Sequence, residues 1–380
     1  MGLKLDKNLK TDCIEILERL YSYAEISKLS LNLSEEVERN LDVLVHSNVG
    51  APVRVLIALL LAKLIDPEVN ILYPVARGVK EKGAFSGRKV DENCVQVLVS
   101  RYKLPLIRTT GFLTPAFRTL SLPIPEKLGE VVGKNKQVYN AFSSIVHKVH
   151  YGELRAYDVL LALLQRVIFL KKKREELLGE RLQGLEGLAV SVEDIVAVLK
   201  QLLALPRASR IPVLITAALH KTIEACLGYR VKPLESHTAA DSKTGNLGDV
   251  ELVLDDGSVV KVYEIKSKKV TEADIYIALR KISTLDEKER GKLKQYLFIT
   301  TEQIEESVLL ETRKVYKETG IEMTILDCID FVRYFLHLFF PLRGKFVENL
   351  TQLIVAEPDS TVSYKIKEQY LNLLKKVCRF

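Results

Sequence analysis

The sequence predicts an α+β protein: a mostly helical N-terminal domain over residues 1–205 and a mixed-sheet α/β C-terminal domain over 206–380. Three observations carry this reading. Apolar residues recur at helical spacing through the first two hundred positions. After Pro206 the texture changes to alternating strands and helices, as in a sheet covered by helices. Asp256-Gly257 lies between two β-rich runs, a strong signal for a hairpin with a type I′ turn.

Taken in order, Ile14, Leu17, Leu20 and Tyr21 lie on one helical face, and a second helix covers Leu31–Val45, with Ser34 as N-cap ahead of Glu35-Glu36. Pro52 opens an apolar helix that Asp66-Pro67 closes. Residues 70–90 read as irregular, with Gly78, Gly83 and Gly87, and a helix follows over 91–102. Pro105, Pro115, Pro123 and Pro125 make 104–125 a loop-rich stretch. Helices are expected over 135–149 and 154–178, the second ending in the basic run Lys171–Arg174. Gly179, Gly184 and Gly187 break the pattern, and Ser191 with Asp194 caps a helix over 191–204. The C-terminal part reads as helix 211–226, strands 249–254 and 259–266, helix 271–290, strand 295–300, helix 302–318, strand 321–326 and helix 327–338. Two last helices are expected over 344–355 and 362–378.

Composition narrows the function classes. The longest apolar run, Val55–Ala62, stops at Lys63, far short of the roughly 20 residues that span a bilayer. The first residues hold no signal-peptide core, so an intracellular, cytoplasmic location is expected and no membrane partner. The five cysteines form no CxxC pair, which argues against a zinc ribbon, a disulfide framework or a thioredoxin-like site. A net charge of +7 permits a polyanionic partner without requiring one. No Walker A, GxGxxG or GxSxG motif anchors an NTPase, dinucleotide or hydrolase-triad reading. His147 and His150, three apart on a helix, lack a third ligand nearby and read as structural.

The chemistry concentrates in Gly248–Lys268. If Asp256 and Gly257 form the turn, opposed residues have numbers summing to 513, so Asp249 faces Glu264 and Lys266 shares their face. Two carboxylates that close repel unless a cation sits between them, and a hard divalent ion such as Mg²⁺ suits oxygen ligands. The alternative is a surface hairpin with cross-strand ion pairs. Against it, Val250, Leu252, Leu254, Tyr263 and Ile265 make the opposite face core-like, and Tyr296–Ile299 is apolar enough for a central strand.

Asp249, a hairpin, then Glu264-Ile265-Lys266, with helices before and after, resembles the PD-(D/E)xK nuclease superfamily. The resemblance implies that Asp249 and Glu264 bind Mg²⁺ while Lys266 assists phosphodiester hydrolysis. Glu224, on the preceding helix, is the candidate for a further acid, and Glu251 for an extension of the metal site. Gly248 stands where the motif has its nominal Pro.

A second set of residues is similar to type II restriction endonucleases, SacI-like ones in particular. It comprises Phe85–Arg88, Asp91-Glu92, Thr109–Arg118, and His237–Asp241 ahead of Thr244-Gly245 and Gly248-Asp249. That resemblance covers roughly 85–120 and 210–300. It implies a Mg²⁺-dependent homodimer that cuts double-stranded DNA at a palindrome, with a cognate DNA methyltransferase encoded nearby. Residues 101–118 carry Arg101, Lys103, Arg108 and Arg118 with Thr109, Thr110 and Thr114 and no acid, so they are candidates for the DNA surface. Arg88, with Lys268 and Lys269 beside the hairpin, joins them as a phosphate contact. On this reading residues 1–205 recognise DNA and 206–380 cut it. Two other readings are a repair or junction-resolving nuclease of the same superfamily and a non-catalytic DNA-binding protein with a nuclease-like fold.

Overall fold

The computed structural model describes residues 7–27, 33–74, 81–118, 120, 123–182, 190–234 and 246–377. Gly78, Gly184, Gly187, His237–Asp241, Thr244, Gly245 and Cys378 lie outside them. The chain divides into two compact units, Met1–Leu177 with Pro358–Ser360, and Leu178–Glu357 with Thr361–Phe380.

The first unit is helical. Helices α1 (Lys7–Ile26), α2 (Glu35–His46) and α3 (Gly50–Ile65) are followed by α4 (Gly87–Val90), which continues through a π turn at Asp91–Val95 into α5 (Gln96–Arg101). Then come α6 (Pro115–Arg118), α7 (Leu128–Val132), α8 (Lys136–His150) and α9 (Ala156–Leu182), whose residues from Leu178 onward belong to the second unit. Ser34 occupies the N-cap position of α2 in extended backbone, and Glu35, Glu36 and Glu38 fill its first turn. The sequence of α3 is apolar on every side, as a central helix must be, and Ala51 through Ala62 are all buried. Helix α3 shares one core with Leu17, Leu41, Leu98, Phe117, Phe142 and Leu163.

Cysteine spacing argued against disulfides, and here the structure corrects it. Cys13 on α1 and Cys94 in the π turn form a disulfide with Cα atoms 6.2 Å apart. Both side chains are fully buried where α1 lies against that turn. Sequence spacing carries no trace of a tertiary contact between residues so far apart.

The second unit begins with α10 (Val192–Leu203), whose N-cap Ser191 accepts from Asp194 N–H at 3.1 Å, and α11 (Ile211–Leu227). Five strands follow: β1 (Arg230–Val231), β2 (Val250–Val253), β3 (Val259–Lys266), β4 (Gln295–Thr300) and β5 (Glu322–Asp327). Between β3 and β4 lie α12 (Glu272–Ser283) and α13 (Glu287–Lys292), and α14 (Glu306–Thr319) precedes β5. The remaining helices are α15 (Cys328–Leu338), α16 (Arg343–Ala356) and α17 (Tyr364–Val377). The sheet is mixed and sequential in order, β1-β2-β3 antiparallel and β3-β4-β5 parallel. One helix was expected over 271–290. Asp286 instead accepts from Glu289 N–H at 2.7 Å and starts a new helix, which splits the segment in two.

Residues alternate between the two faces of β3. Tyr263 joins Val250, Leu252, Leu297 and Ile299 in a core with α10, α11, α15, α16 and α17. Val262 joins Tyr296, Phe298, Ile275 and Val308 in a second core under α12 and α14. The sheet is thus covered on both faces, which requires apolar strands throughout. The same packing moves the boundary away from 205. Val192, Ile195, Leu199 and Leu202 of α10 belong to the Tyr263 core, so α10 falls with the sheet and the division falls at Leu177/Leu178.

Candidate active site

The register of the β2–β3 hairpin positions the site. Val250 pairs with Tyr263, Glu251 with Val262 and Leu252 with Lys261, so opposed numbers sum to 513 over this stretch as the sequence implied. The turn is not the expected one. A type I′ turn needs positive φ at both central residues, and of Asp256 and Gly257 only Gly257 has it, at 83°. Gly257 N–H donates to Leu254 O at 2.9 Å, and Leu254 N–H to Ser258 O at 3.0 Å, giving a three-residue loop closed by a left-handed glycine. Val253 therefore pairs with Val259, one residue out of step. An irregularity between Leu252 and Val253 leaves Val260 unopposed and restores the register toward the site.

Asp249 directly precedes β2. Its N–H donates to Tyr263 O at 2.9 Å, and its carboxylate Oδ2 accepts from Ile265 N–H at 2.8 Å. The side chain so continues the strand pairing past the end of β2 and lies beside Glu264-Ile265. Gly248 is needed for this approach: a Cβ there would sit 2.8 Å from Tyr263 O and 2.5 Å from Val262 Cγ1. The motif's nominal Pro would collide at the same place.

Glu264 projects from β3 toward α12, and both its oxygens are engaged. Lys266 Nζ lies 3.1 Å from Oε1, and Lys281 Nζ lies 3.2 Å from Oε2, which also accepts from Tyr296 Oη at 3.2 Å. Lys266 has a second carboxylate, Asp274 Oδ1, at 3.1 Å. Asp274 is held in turn by the capping box of α12, where Oδ2 accepts from Thr271 N–H at 3.0 Å. Burial works against the charged lysine, but Glu264 and Asp274 outweigh it and hold Lys266 above the ordinary lysine range. At neutral pH Lys266 is an ammonium, equipped to donate hydrogen bonds and not to take a proton.

The donor set suits Mg²⁺. Among the described residues no three His, Cys, Asp or Glu side chains form a ready cage. Mg²⁺ is commonly held by one or two carboxylates, keeping water and substrate phosphate in its other positions. Asp249 and Glu264 are the two carboxylates that would supply such a pair, and the Glu264 oxygens are held here by the Lys266 and Lys281 ammonium groups.

Two further acids that the sequence nominated have structural partners. Glu251 is buried inside the fold, its Oε2 2.7 Å from Lys232 Nζ and its Oε1 accepting from Leu247 N–H at 2.5 Å. It fastens the loop ahead of Asp249 instead of facing the site. Glu224, near the end of α11, accepts from Val231 N–H at 2.6 Å and ties β1 to that helix. Conversely, sequence reading passed over Lys281, Asp274 and Tyr296. Their signals were present: Thr271-x-x-Asp274 is a capping box, and Asp274 and Lys281, seven apart, share a helix face. Lys268 and Lys269 are exposed just beyond β3, and Lys269 pairs with Glu305 at 2.9 Å.

In the first unit, the loop 107–118 is built on a buried ion pair. Arg54 and Asp91 are both fully buried, with Nε to Oδ1 at 2.7 Å. Arg54 Nη1 donates to the carbonyls of Ile107 and Arg108 at 2.7 and 2.6 Å, and Nη2 to Gln96. Burial pushes the Asp91 carboxyl upward against the pull of Arg54. Thr109 and Arg118 are exposed and Arg108 is half-buried. Thr110 is not a surface residue: it is buried at the N-cap of a 3₁₀ turn, its hydroxyl accepting from Phe112 N–H at 3.4 Å. Thr114 is half-buried and donates to Gly111 O at 2.6 Å, so these two hydroxyls shape the loop and are not presented to a duplex. Arg101 pairs with Glu18, and exposed Arg88 with Glu92 at 2.7 Å. His147 bonds Ile124 O at 2.8 Å, in keeping with a structural role.

Comparison with known families adds one finding. Residues 189–300 match the family model described as the SacI restriction endonuclease C-terminal domain. The match covers under a third of the chain and spans α10 through β4, including Asp249, Glu264, Lys266, Asp274, Lys281 and Tyr296. The resemblance to SacI-like type II restriction endonucleases is borne out over this stretch, and the residues 85–120 that share it lie outside the matched span. No curated protein matches the chain.

Proposed function

We propose that this chain, which carries a SacI-type restriction endonuclease domain, is a type II site-specific endonuclease that hydrolyses phosphodiester bonds in double-stranded DNA with Mg²⁺. One observation supports the reading: Asp249 accepts from the N–H of Ile265, between Glu264 and Lys266, whose side chains pair at 3.1 Å, in the order helix, Asp, hairpin, Glu-x-Lys, helix. This supports assigning the second unit to the PD-(D/E)xK fold.

Asp249 and Glu264 would hold the metal, which when bound polarises the scissile phosphate. Lys266, kept charged by its two carboxylates, donates a hydrogen bond toward the attacking water or the phosphate oxygens and offsets the charge that builds up there. Arg88, Arg108, Thr109, Arg118, Lys268 and Lys269 are the proposed DNA contacts. The ion pairs of Arg88 and Lys269 are solvent-screened, and such exposed pairs exchange readily for phosphate. A palindromic target matches a two-fold homodimer, and a cutting enzyme implies a protecting methyltransferase.

Plasmid DNA incubated with the protein and Mg²⁺ tests this. Discrete bands are expected, lost in Glu264→Ala and Lys266→Ala while duplex binding persists. Cleavage at the wild-type rate by either variant removes the site, and cutting confined to branched DNA favours a junction-resolving enzyme.

A further inference from the structure

The two oxygens of Glu264 differ in their surroundings. Oε1 meets one cation, Lys266, which is paired with Asp274 as well. Oε2 is gripped by two donors from different elements, Lys281 of α12 and Tyr296 of β4. The Lys281 ammonium, with N–H groups to spare, also donates to Leu247 O at 3.2 Å, and the single Tyr296 hydroxyl proton is shared between Leu247 O at 2.9 Å and Glu264 Oε2 at 3.2 Å. Leu247 is two residues before Asp249, and its own N–H is held by Glu251. The loop that delivers Asp249 is therefore tied directly to Glu264 through Tyr296 and Lys281.

We infer that Tyr296 and Lys281 are positioning residues: they clamp Glu264 Oε2 to the loop bearing Asp249, set the spacing of the two carboxylates and leave Oε1 to face the metal. The inference rests on the proposed metal-dependent site. Tyr296 carries the argument because it is neutral and fully buried. In the parallel register Val262 opposes Tyr296 and Glu264 opposes Phe298, so the phenol lies on the Glu264 face of the sheet and reaches along it. A buried phenol needs a partner for its hydroxyl. This one serves the two elements whose separation matters. Partners of metal-binding carboxylates commonly govern affinity through orientation alone.

Mn²⁺ binding to the full chain, followed by electron paramagnetic resonance, tests the clamp with Tyr296→Phe and Glu264→Gln. Tyr296→Phe changes no charge, and Lys281 still satisfies both acceptors, so the fold is retained. It is expected to weaken Mn²⁺ binding about 10- to 100-fold, with metal-free duplex binding unchanged and cleavage recovered as Mg²⁺ is raised. A merely structural tyrosine would not split metal affinity from maximal rate in this way. Wild-type Mn²⁺ affinity in Tyr296→Phe, with binding lost in Glu264→Gln, overturns the clamp and leaves the metal site standing. Wild-type affinity in both variants overturns the site and the clamp together.

Discussion

Reduction of the Cys13–Cys94 bond is expected to destabilise the N-terminal unit strongly. The bond joins residues 81 apart in sequence. Freed from that closure, the unfolded chain gains entropy that stabilises it by about 4.5 kcal/mol at 25 °C in the chain-entropy treatment. For a unit of this size that corresponds to a fall of about 9–18 °C in melting midpoint. Calorimetric or circular-dichroism melts with and without a phosphine reductant measure it. A Cys13→Ala/Cys94→Ala chain serves as the control, whose midpoint the reductant leaves in place. Thiol titration of the unfolded, unreduced protein should find two fewer thiols than after reduction. Equal thiol counts, or a reductant shift under about 3 °C, would refute the reasoning, because the sulfurs would then be neighbours without being a constraint.

Other perturbations give distinct outcomes. Arg54→Leu strands a buried carboxylate and is expected to cost about 3–5 kcal/mol in urea unfolding, most of it recovered in Arg54→Leu/Asp91→Leu; additive losses would disprove the pairing. Burial depresses His220 to about 3, so between the ordinary histidine range and that value the unfolded chain binds a proton that the native one does not. Stability should fall on acidification through that window by about 1.4 kcal/mol per pH unit, and His220→Phe should flatten the slope in melts run from neutral to about pH 4. Asp274→Asn keeps an acceptor for Thr271 but removes a counter-charge from Lys266; cleavage about 10- to 100-fold slower is expected in plasmid digests, and an unchanged rate would separate Asp274 from the site. Arg108→Ala and Arg118→Ala should each lower the salt slope of duplex binding by about 1 if they neutralise a phosphate, and an unchanged slope takes them off the DNA face.

The parts of the site that follow from local rules were legible in the sequence. Strand alternation and one turn signal sufficed to bring Asp249 beside Glu264 and to aim Tyr263 and Ile265 the other way. The turn type itself is not legible, because a three-residue loop and the bulge at Val260 together reproduce the register of a two-residue turn without a bulge. What stayed illegible depends on partners distant in sequence. Thr110 is a plausible DNA-facing residue until Arg54 and Asp91 draw its loop inward. Glu251 shares a strand with the candidate site but meets Lys232 instead. Tyr296 reads as core in an apolar strand, and only the sheet order reveals that its hydroxyl meets Glu264.

The bulge at Val260 also bears on how this hairpin can vary. The three-residue loop with its bulge gives the pairing of Val250 with Tyr263 that a two-residue turn without a bulge would also give, so the tip can change by one residue without altering that pairing. Asp255, Asp256 and Gly257 can drift, shorten by a residue if the bulge is lost, or carry a reporter group, while the carboxylate oxygens keep their places. Selection can then rework the outer end of this hairpin for contacts elsewhere while the pairing beside Asp249 and Glu264 is kept.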